Sequence, residues 1–164
     1  LAAILQPGDA VVLLSALPPD KGRGIQSFLS NIRMAASVCH ALAKITPSHV
    51  VYLSSDSVYP MRSGLITEQT SAEPEDLYGM MHLAREMMIT SASKAPVAVL
   101  RTTLVFGSAD THNSYGPNRL RRMAHRDGKI TLFGSGEERR DHIFVDDVVG
   151  LIVLAIRYRS EGIL

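Results

Sequence analysis

The amino-acid sequence predicts an α/β fold, a doubly wound parallel sheet, on three observations. Short apolar runs of strand length alternate with longer segments of helical periodicity. The connections between successive runs are long and helical, as parallel strands require. The runs are continuously apolar instead of alternating, which is the pattern of strands buried on both faces.

The first run is Ala10 to Ser15, entered through Pro7-Gly8-Asp9. A loop rich in turn residues follows, Leu17 to Gly24. The spacing of Phe28, Leu29, Ile32, Ala35, Ala36, Cys39, Leu42 and Ala43 predicts a helix from Ile25 to Ile45, stopped by Pro47. His49 to Ser54 is a second strand. The polar stretch from Asp56 to Asp76, with Pro60, Gly64 and Pro74, is a long loop. A helix over Leu77 to Ser93 ends before Pro96, and Val97 to Arg101 is a third strand. Beyond it the pattern loosens. A loop from Gly107 to Asn118 precedes a basic helix at Arg119 to Arg126, a strand at Lys129 to Phe133 and a glycine-rich turn, Gly134-Ser135-Gly136. Ile143 to Val145 is a short strand, and Asp146 is the expected N-cap of an apolar helix from Val148 to Arg157. The expected domain division is 1–106 and 107–164.

Composition narrows the function classes. The 164 residues are 46% hydrophobic and 20% charged, as in globular proteins. A formal net charge of +1 offers no general electrostatic ground for nucleic-acid or membrane-surface binding, and neither partner is expected. The longest apolar runs, such as Val148 to Ile156, are about half the roughly 20 residues of a membrane helix. The single cysteine, Cys39, excludes an intrachain disulfide framework and points to a reducing, cytoplasmic compartment. His40, His49, His112, His125 and His142 share no metal-ligand spacing, so no metal is expected. Met80, Met81, Met87 and Met88 read as helix packing. The basic cluster of Arg119, Arg121, Arg122, Arg126 and Lys129 reads first as a solvated face and second as a contact for phosphate. The chain opens at Leu1 within helix-like sequence, from which a segment of a longer protein is expected.

Two segments carry chemistry. Val50 to Tyr59 places Ser54 and Ser55 at the C-terminal end of a parallel strand, where open α/β sheets bind ligands. Tyr78 opens a helix in which His82, four residues on, shares its face. A positive charge beside the phenol favours phenolate, and a serine can hydrogen-bond the same substrate oxygen. Together they make a base for an alcohol proton while a hydride leaves its carbon. The glycine-rich fingerprint G-x-G-x-x-G is absent: Gly22-Arg23-Gly24 and Gly134-Ser135-Gly136 both lack the third glycine. There is no G-x-S-x-G elbow of a hydrolase either.

From about Asp9 to Leu164 the chain resembles the extended short-chain dehydrogenase/reductases, the NAD-dependent epimerase/dehydratase group that acts mainly on nucleotide sugars. Four motifs in order carry the resemblance. They are Ser54-Ser55-Asp56-Ser57-Val58-Tyr59, Tyr78-Gly79-Met80-Met81-His82 through Glu86, Leu100-Arg101 through Val105-Phe106-Gly107, and Gly134-Ser135-Gly136 through Arg140-Asp141 to Val145-Asp146. The family's helix asparagine matches Asn31.

The resemblance implies a Rossmann-like sheet, here incomplete, with part of a smaller substrate-binding lobe: residues 1–106 as the C-terminal part of the dinucleotide-binding domain, 107–164 as lobe elements and a returning helix. It implies NAD or NADP as cofactor and a nucleotide-sugar substrate. Tyr78 would be the general acid/base, with Ser55, His82 and Asp56 in the catalytic set. Leu14, Ser15, Ala16, Asn31, Ser54, Tyr78, His82, Thr102 and Thr103 would line the cofactor. Asn118 and Arg140 would bind substrate, Arg140 at its diphosphate. A homodimer through the helices of Asn31 and Tyr78 is also implied. By itself the segment is expected not to hold NAD tightly, since the leading glycine-rich half of the domain is not in it.

The chain departs from the family pattern in three places. The family lysine, a permanent cation that also hydrogen-bonds the nicotinamide ribose, is His82. A carboxylate such as Glu86 raising the imidazole pKa would restore charge, and activity would then rise toward lower pH. Leu104 stands where many sugar-nucleotide enzymes carry asparagine, so the sugar is not implied. Asp56-Ser57 preserves half of the Asp-Glu pair of the dehydratases. The alternative to an enzyme is a non-catalytic nucleotide-binding or sensor protein on the same fold.

Overall fold

Residues 2–61, 64–109, 116–132, 134–137 and 139–164 are described by the structure, a computed structural model. In chain order the elements are β1 (Ala10–Leu13), α1 (Ile25–Leu42), β2 (His49–Ser55), α2 (Leu77–Ala92), β3 (Val97–Thr102), β4 (Leu104–Phe106), α3 (Gly116–Asp127), β5 (His142–Phe144), α4 (Val145–Tyr158) and β6 (Gly162–Ile163). Short 3₁₀ turns at Pro19–Lys21 and Asp56–Val58 interrupt the loops.

Two units follow from the packing, Leu1–Arg101 with Leu151–Leu164, and Thr102–Gly150. The first unit holds a four-stranded sheet in the order β1-β2-β3-β6. β1 runs parallel to β2, with Ala10 beside His49 and Leu13 beside Tyr52, and β6 runs parallel to β3. The period-2 geometry of a strand sends neighbouring residues to opposite faces, and here both faces are covered. Val50, Tyr52, Val97 and Val99 pack with Val38 and Leu42 of α1 and Ile89 of α2. Val51, Leu53, Ala98 and Leu100 pack with Ile152, Ala155 and Ile156 of α4. Continuous apolar strands are the sequence's record of this two-sided burial. The doubly wound parallel sheet is thus observed, and β1 forms one of its edges.

The second unit holds a two-stranded parallel sheet, β4 with β5, in which the rings of Phe106 and Phe144 lie 5.5 Å apart. Among the described residues, no strand forms at 129–132; Phe133, the last residue of that predicted strand, lies outside them. Ile130 and Leu132 are half exposed, and β4 takes β5 as its partner. A strand without a ladder leaves its backbone groups to solvent, so an apolar alternation alone does not make one.

Other boundaries also differ from those predicted. α1 ends at Leu42, where the Lys44 and Ile45 amides fold back onto the Ala41 carbonyl. α3 begins at Gly116, inside the predicted loop. α4 begins at Val145, so Asp146 is no N-cap but a first-turn carboxylate at the positive end of the helix dipole. β6 has only two residues, too few to show any period, and it exists through its pairing with Ala98 and Val99. No described helix is long and apolar enough to cross a membrane.

Candidate functional site

The end of β2 and the start of α2 are built to meet. After Ser55 the chain turns through Asp56–Val58, and the Ser55 Oγ caps that turn by accepting the Ser57 amide at 3.1 Å. The same hydroxyl reaches Asp56 Oδ1 and Ser57 Oγ, each at 3.1 Å. α2 is capped by Asp76, whose Oδ1 accepts the Gly79 amide at 2.8 Å. Gly79 is buried against the turn: a Cβ there would overlap the Ser57 carbonyl oxygen and lie 2.9 Å from Pro74 Cβ. Only glycine allows this approach of helix to turn, and the approach seats Tyr78 beside the Ser55 turn. Tyr78 is half-buried and lines a narrow cleft with Leu17, Ser27, Asn31, Leu77 and Met81.

His82 lies one turn below, its ring edge-on to that of Tyr78 at 4.7 Å. It is buried, and its Nδ1 lies 2.8 Å from the Tyr52 hydroxyl. Burial raises the Tyr52 pKa, which keeps that phenol protonated and able to donate. With the phenol assigned as donor, imidazole Nε2 carries the hydrogen, and that buried donor has no partner among the described residues. An orphaned N–H at this position suits a hydroxyl or oxygen of a bound ligand, such as a cofactor ribose.

The imidazole is not charged. Desolvation first, and the Arg85 guanidinium second, push its pKa down to about 4. Glu86 does not raise it, because Glu86 is committed elsewhere. Arg101 grips both Glu86 oxygens, Nε to Oε1 at 3.1 Å and Nη2 to Oε2 at 2.7 Å, and Ser54 donates to Oε1 at 2.5 Å. A His82 held neutral in this way removes the ground for a rise in activity toward lower pH. Acid acts on stability instead. The unfolded imidazole titrates at its ordinary 6.5 and the folded one near 4. His82 thus contributes stability that is complete above pH 6.5 and lost as pH falls toward 4, on the order of 3 kcal/mol. Urea unfolding at pH 7, 6 and 5 checks this: His82→Gln should flatten part of the decline, and an unaltered decline would refute the assignment.

Asn31 and Arg85 close the back of the cleft. Asn31 uses both ends of its amide: Oδ1 accepts the Leu17 amide at 2.8 Å and Arg85 Nη1 at 3.3 Å, while Nδ2 donates to the Leu17 and Ser27 carbonyls. Arg85 is fully buried, with Nη2 on the Ser15 carbonyl at 2.6 Å and its guanidinium 5.2 Å from the Tyr52 ring centroid.

Of the residues singled out in the sequence, the first unit brings together Ser15, Asn31, Ser54, Ser55, Asp56, Tyr78 and His82 around β2 and α2. Leu14 is exposed and Ala16 half-buried just past the end of β1. Thr102, Thr103, Asn118 and Arg140 belong to the second unit. There Asn118 is buried and donates to the Gly107 carbonyl at 2.7 Å, Arg140 is exposed, and both threonines are half-buried. Sequence reasoning missed Tyr52 and Arg85. Arg85 carried one signal, a charge on the same helix face as Tyr78 and His82.

A parallel sheet with a hydroxyl-bearing strand end held against a helix-borne tyrosine defines a Rossmann-like domain of the short-chain dehydrogenase type. Residues 1–163 match the model of the NAD dependent epimerase/dehydratase family, and the chain belongs to that family. It is 26% identical over 156 residues to an uncharacterized UDP-glucose epimerase, YtcB, of Bacillus subtilis, covering 91% of this chain and 49% of that protein. It is 27% identical to the UDP-glucose 4-epimerase of Lactobacillus helveticus, covering 93% and 53%. Among solved structures, the UDP-glucuronic acid 4-epimerase of Bacillus cereus in complex with UDP-glucuronic acid and NAD superposes with a TM-score of 0.86 at 26% identity, over 99% of this chain and 54% of that one. The chain thus spans about half the length of these relatives.

Proposed function

We propose that this chain carries the catalytic strand end and helix of an NAD-dependent enzyme that epimerises a nucleotide-linked sugar, with Tyr78 as general acid/base. The observation that carries the reading is the close approach of Gly79, the residue after Tyr78, to the Ser57 carbonyl in the turn that Ser55 caps, an approach that only glycine permits. The relatives that act on UDP-sugars support the substrate class. NAD, when bound, supplies the hydride acceptor. The orphaned Nε2–H of His82 fits the cofactor's ribose, and Leu14, Ser15, Ala16, Asn31, Ser54, Thr102 and Thr103 are the further residues that would hold it.

Tyr78 Oη takes the proton of a sugar hydroxyl as the hydride leaves the same carbon, which becomes a carbonyl. Return of hydride to the opposite face, with the proton given back by Tyr78, inverts the centre. Ser55 orients the hydroxyl, its own proton shared between Asp56 Oδ1 and Ser57 Oγ. Asn118 and Arg140 are assigned to the substrate, Arg140 to its diphosphate. Exposed Leu29, Met80 and Met87 on α1 and α2 support a homodimer through those helices. A cytoplasmic location accords with the lone cysteine.

The second reading, a nucleotide-binding protein without turnover, is favoured by one observation: a buried histidine, His82, stands where the family has lysine. Incubation of the full-length protein with NAD and UDP-glucose or UDP-glucuronic acid, followed by proton NMR, separates the two. Appearance of the C4 epimer is expected. NAD binding with no conversion of either sugar, nor of other nucleotide sugars, would favour the binding protein.

A further inference from the structure

Resting on the reading of Tyr78 as the proton-transferring group, we propose that Arg85 supplies the fixed positive charge beside Tyr78 that position 82 does not carry. His82 then keeps only the hydrogen-bonding half of the task. Arg85 is a fully buried cation, and among the described residues no carboxylate pairs with it; the adjacent Glu86 is held by Arg101 and Ser54. A buried charge without a counter-ion is costly, and neutral groups hold this one in place. They are the Ser15 carbonyl, Asn31 Oδ1, the Tyr52 ring and, at 3.8 Å, Met81 Sδ. Such partners fix the guanidinium without cancelling its charge, so its field is left to act on the groups around it.

The helix aims that field. Arg85 follows His82 by three residues and Tyr78 by seven, so all three share one face of α2. Long helical side chains lean back toward the N-terminus, and Nη1 of Arg85 accordingly lies against Met81, one turn from Tyr78. Met81 and Asn31, both touched by Nη1, line the cleft that Tyr78 lines. The guanidinium interacts with the phenols of Tyr78 and Tyr52 and with the Cys39 thiol in the sense that favours their anions. Cys39 faces it from α1, Tyr52 from β2, and Tyr78 and His82 from α2. Among the described neighbours His82 is the one able to take a like charge, and burial with Arg85 keeps it neutral. Among the described residues around it, the positive charge is thus Arg85, placed three residues beyond the family position.

The test uses the full-length protein labelled with [13Cζ]tyrosine, the Tyr78 resonance being the one lost in Tyr78→Phe. Arg85→Gln removes the charge but keeps donors for Ser15 and Asn31. It should raise the Tyr78 pKa, and with it the rising, low-pH limb of the kcat/KM–pH profile, by about one unit, lowering turnover at pH 7 about tenfold. Arg85→Lys should leave both close to wild type. His82→Lys alone sets two cations three residues apart and should lower Tm without raising activity. In the Arg85→Gln background His82→Lys should restore the wild-type titration. A purely structural Arg85 would lower Tm with the Tyr78 titration and pH profile unmoved, and that result overturns the proposal. If Arg85→Gln does not fold, the double variant decides: a wild-type-like titration supports the proposal and a raised one overturns it. The titration needs no turnover, so failure of the enzymatic reading would show separately, as activity indifferent to Tyr78→Phe.

Discussion

Replacing Tyr78 by phenylalanine is expected to lower kcat about a hundred- to ten-thousandfold while KM for the sugar nucleotide and NAD affinity change little. The phenol ring packs edge-on against His82 and lines the cleft, and phenylalanine keeps that ring. What it removes is the oxygen that takes and returns the proton. Binding rests on other groups, so the loss falls on a step made only in the transition state. Steady-state kinetics with circular dichroism as a fold control checks this. Unchanged turnover would remove Tyr78 from the mechanism; an equal loss through KM alone would make it a binding residue.

Truncating Glu86 to alanine is expected to destabilise the fold by about 3–5 kcal/mol. The carboxylate joins three elements: its own α2, β3 through the fork of Arg101, and β2 through Ser54. Side chains of the ion pair are only 6% and 7% exposed, so neither charge is solvated once its partner is gone. Removal would leave the Arg101 guanidinium unpaired in the same interior that already holds Arg85. Glu86→Gln still accepts from Ser54 and should cost less. Urea unfolding of Glu86→Ala, Arg101→Ala and the double variant checks the coupling. A loss below about 1 kcal/mol, the value of an exposed pair, would show that solvent reaches this pair after all.

The site was partly legible in the chain. Ser55, Tyr78 and Asn31 stood in recognisable motifs, and the structure places them at the end of β2 and on α2 and α1 of the first unit. Glycine 79 was visible as a motif letter, yet its reason, contact with the Ser57 carbonyl in the turn after β2, was not. His82 was legible as a departure but its protonation was not, because the fate of Glu86 depended on Arg101, which lies on another strand. Arg85 read as an ordinary helix charge, and nothing local marks a buried guanidinium. The strand expected at Lys129 failed for a related reason: pattern proposes a strand, but a partner must be free to pair with it.

By itself the sequence determined what depends on neighbours along the chain. The alternation of apolar strands with amphipathic helices specified a parallel α/β sheet, and motif order specified the family, because periodicity and capping are local properties. Only the tertiary structure decided where the charge sits. Desolvation and ion pairing depend on what packs around a group: the Ser15 carbonyl beyond β1, Asn31 of α1, Tyr52 and Ser54 of β2 and Arg101 of β3 are distant from His82, Arg85 and Glu86 in the chain and adjacent in the fold.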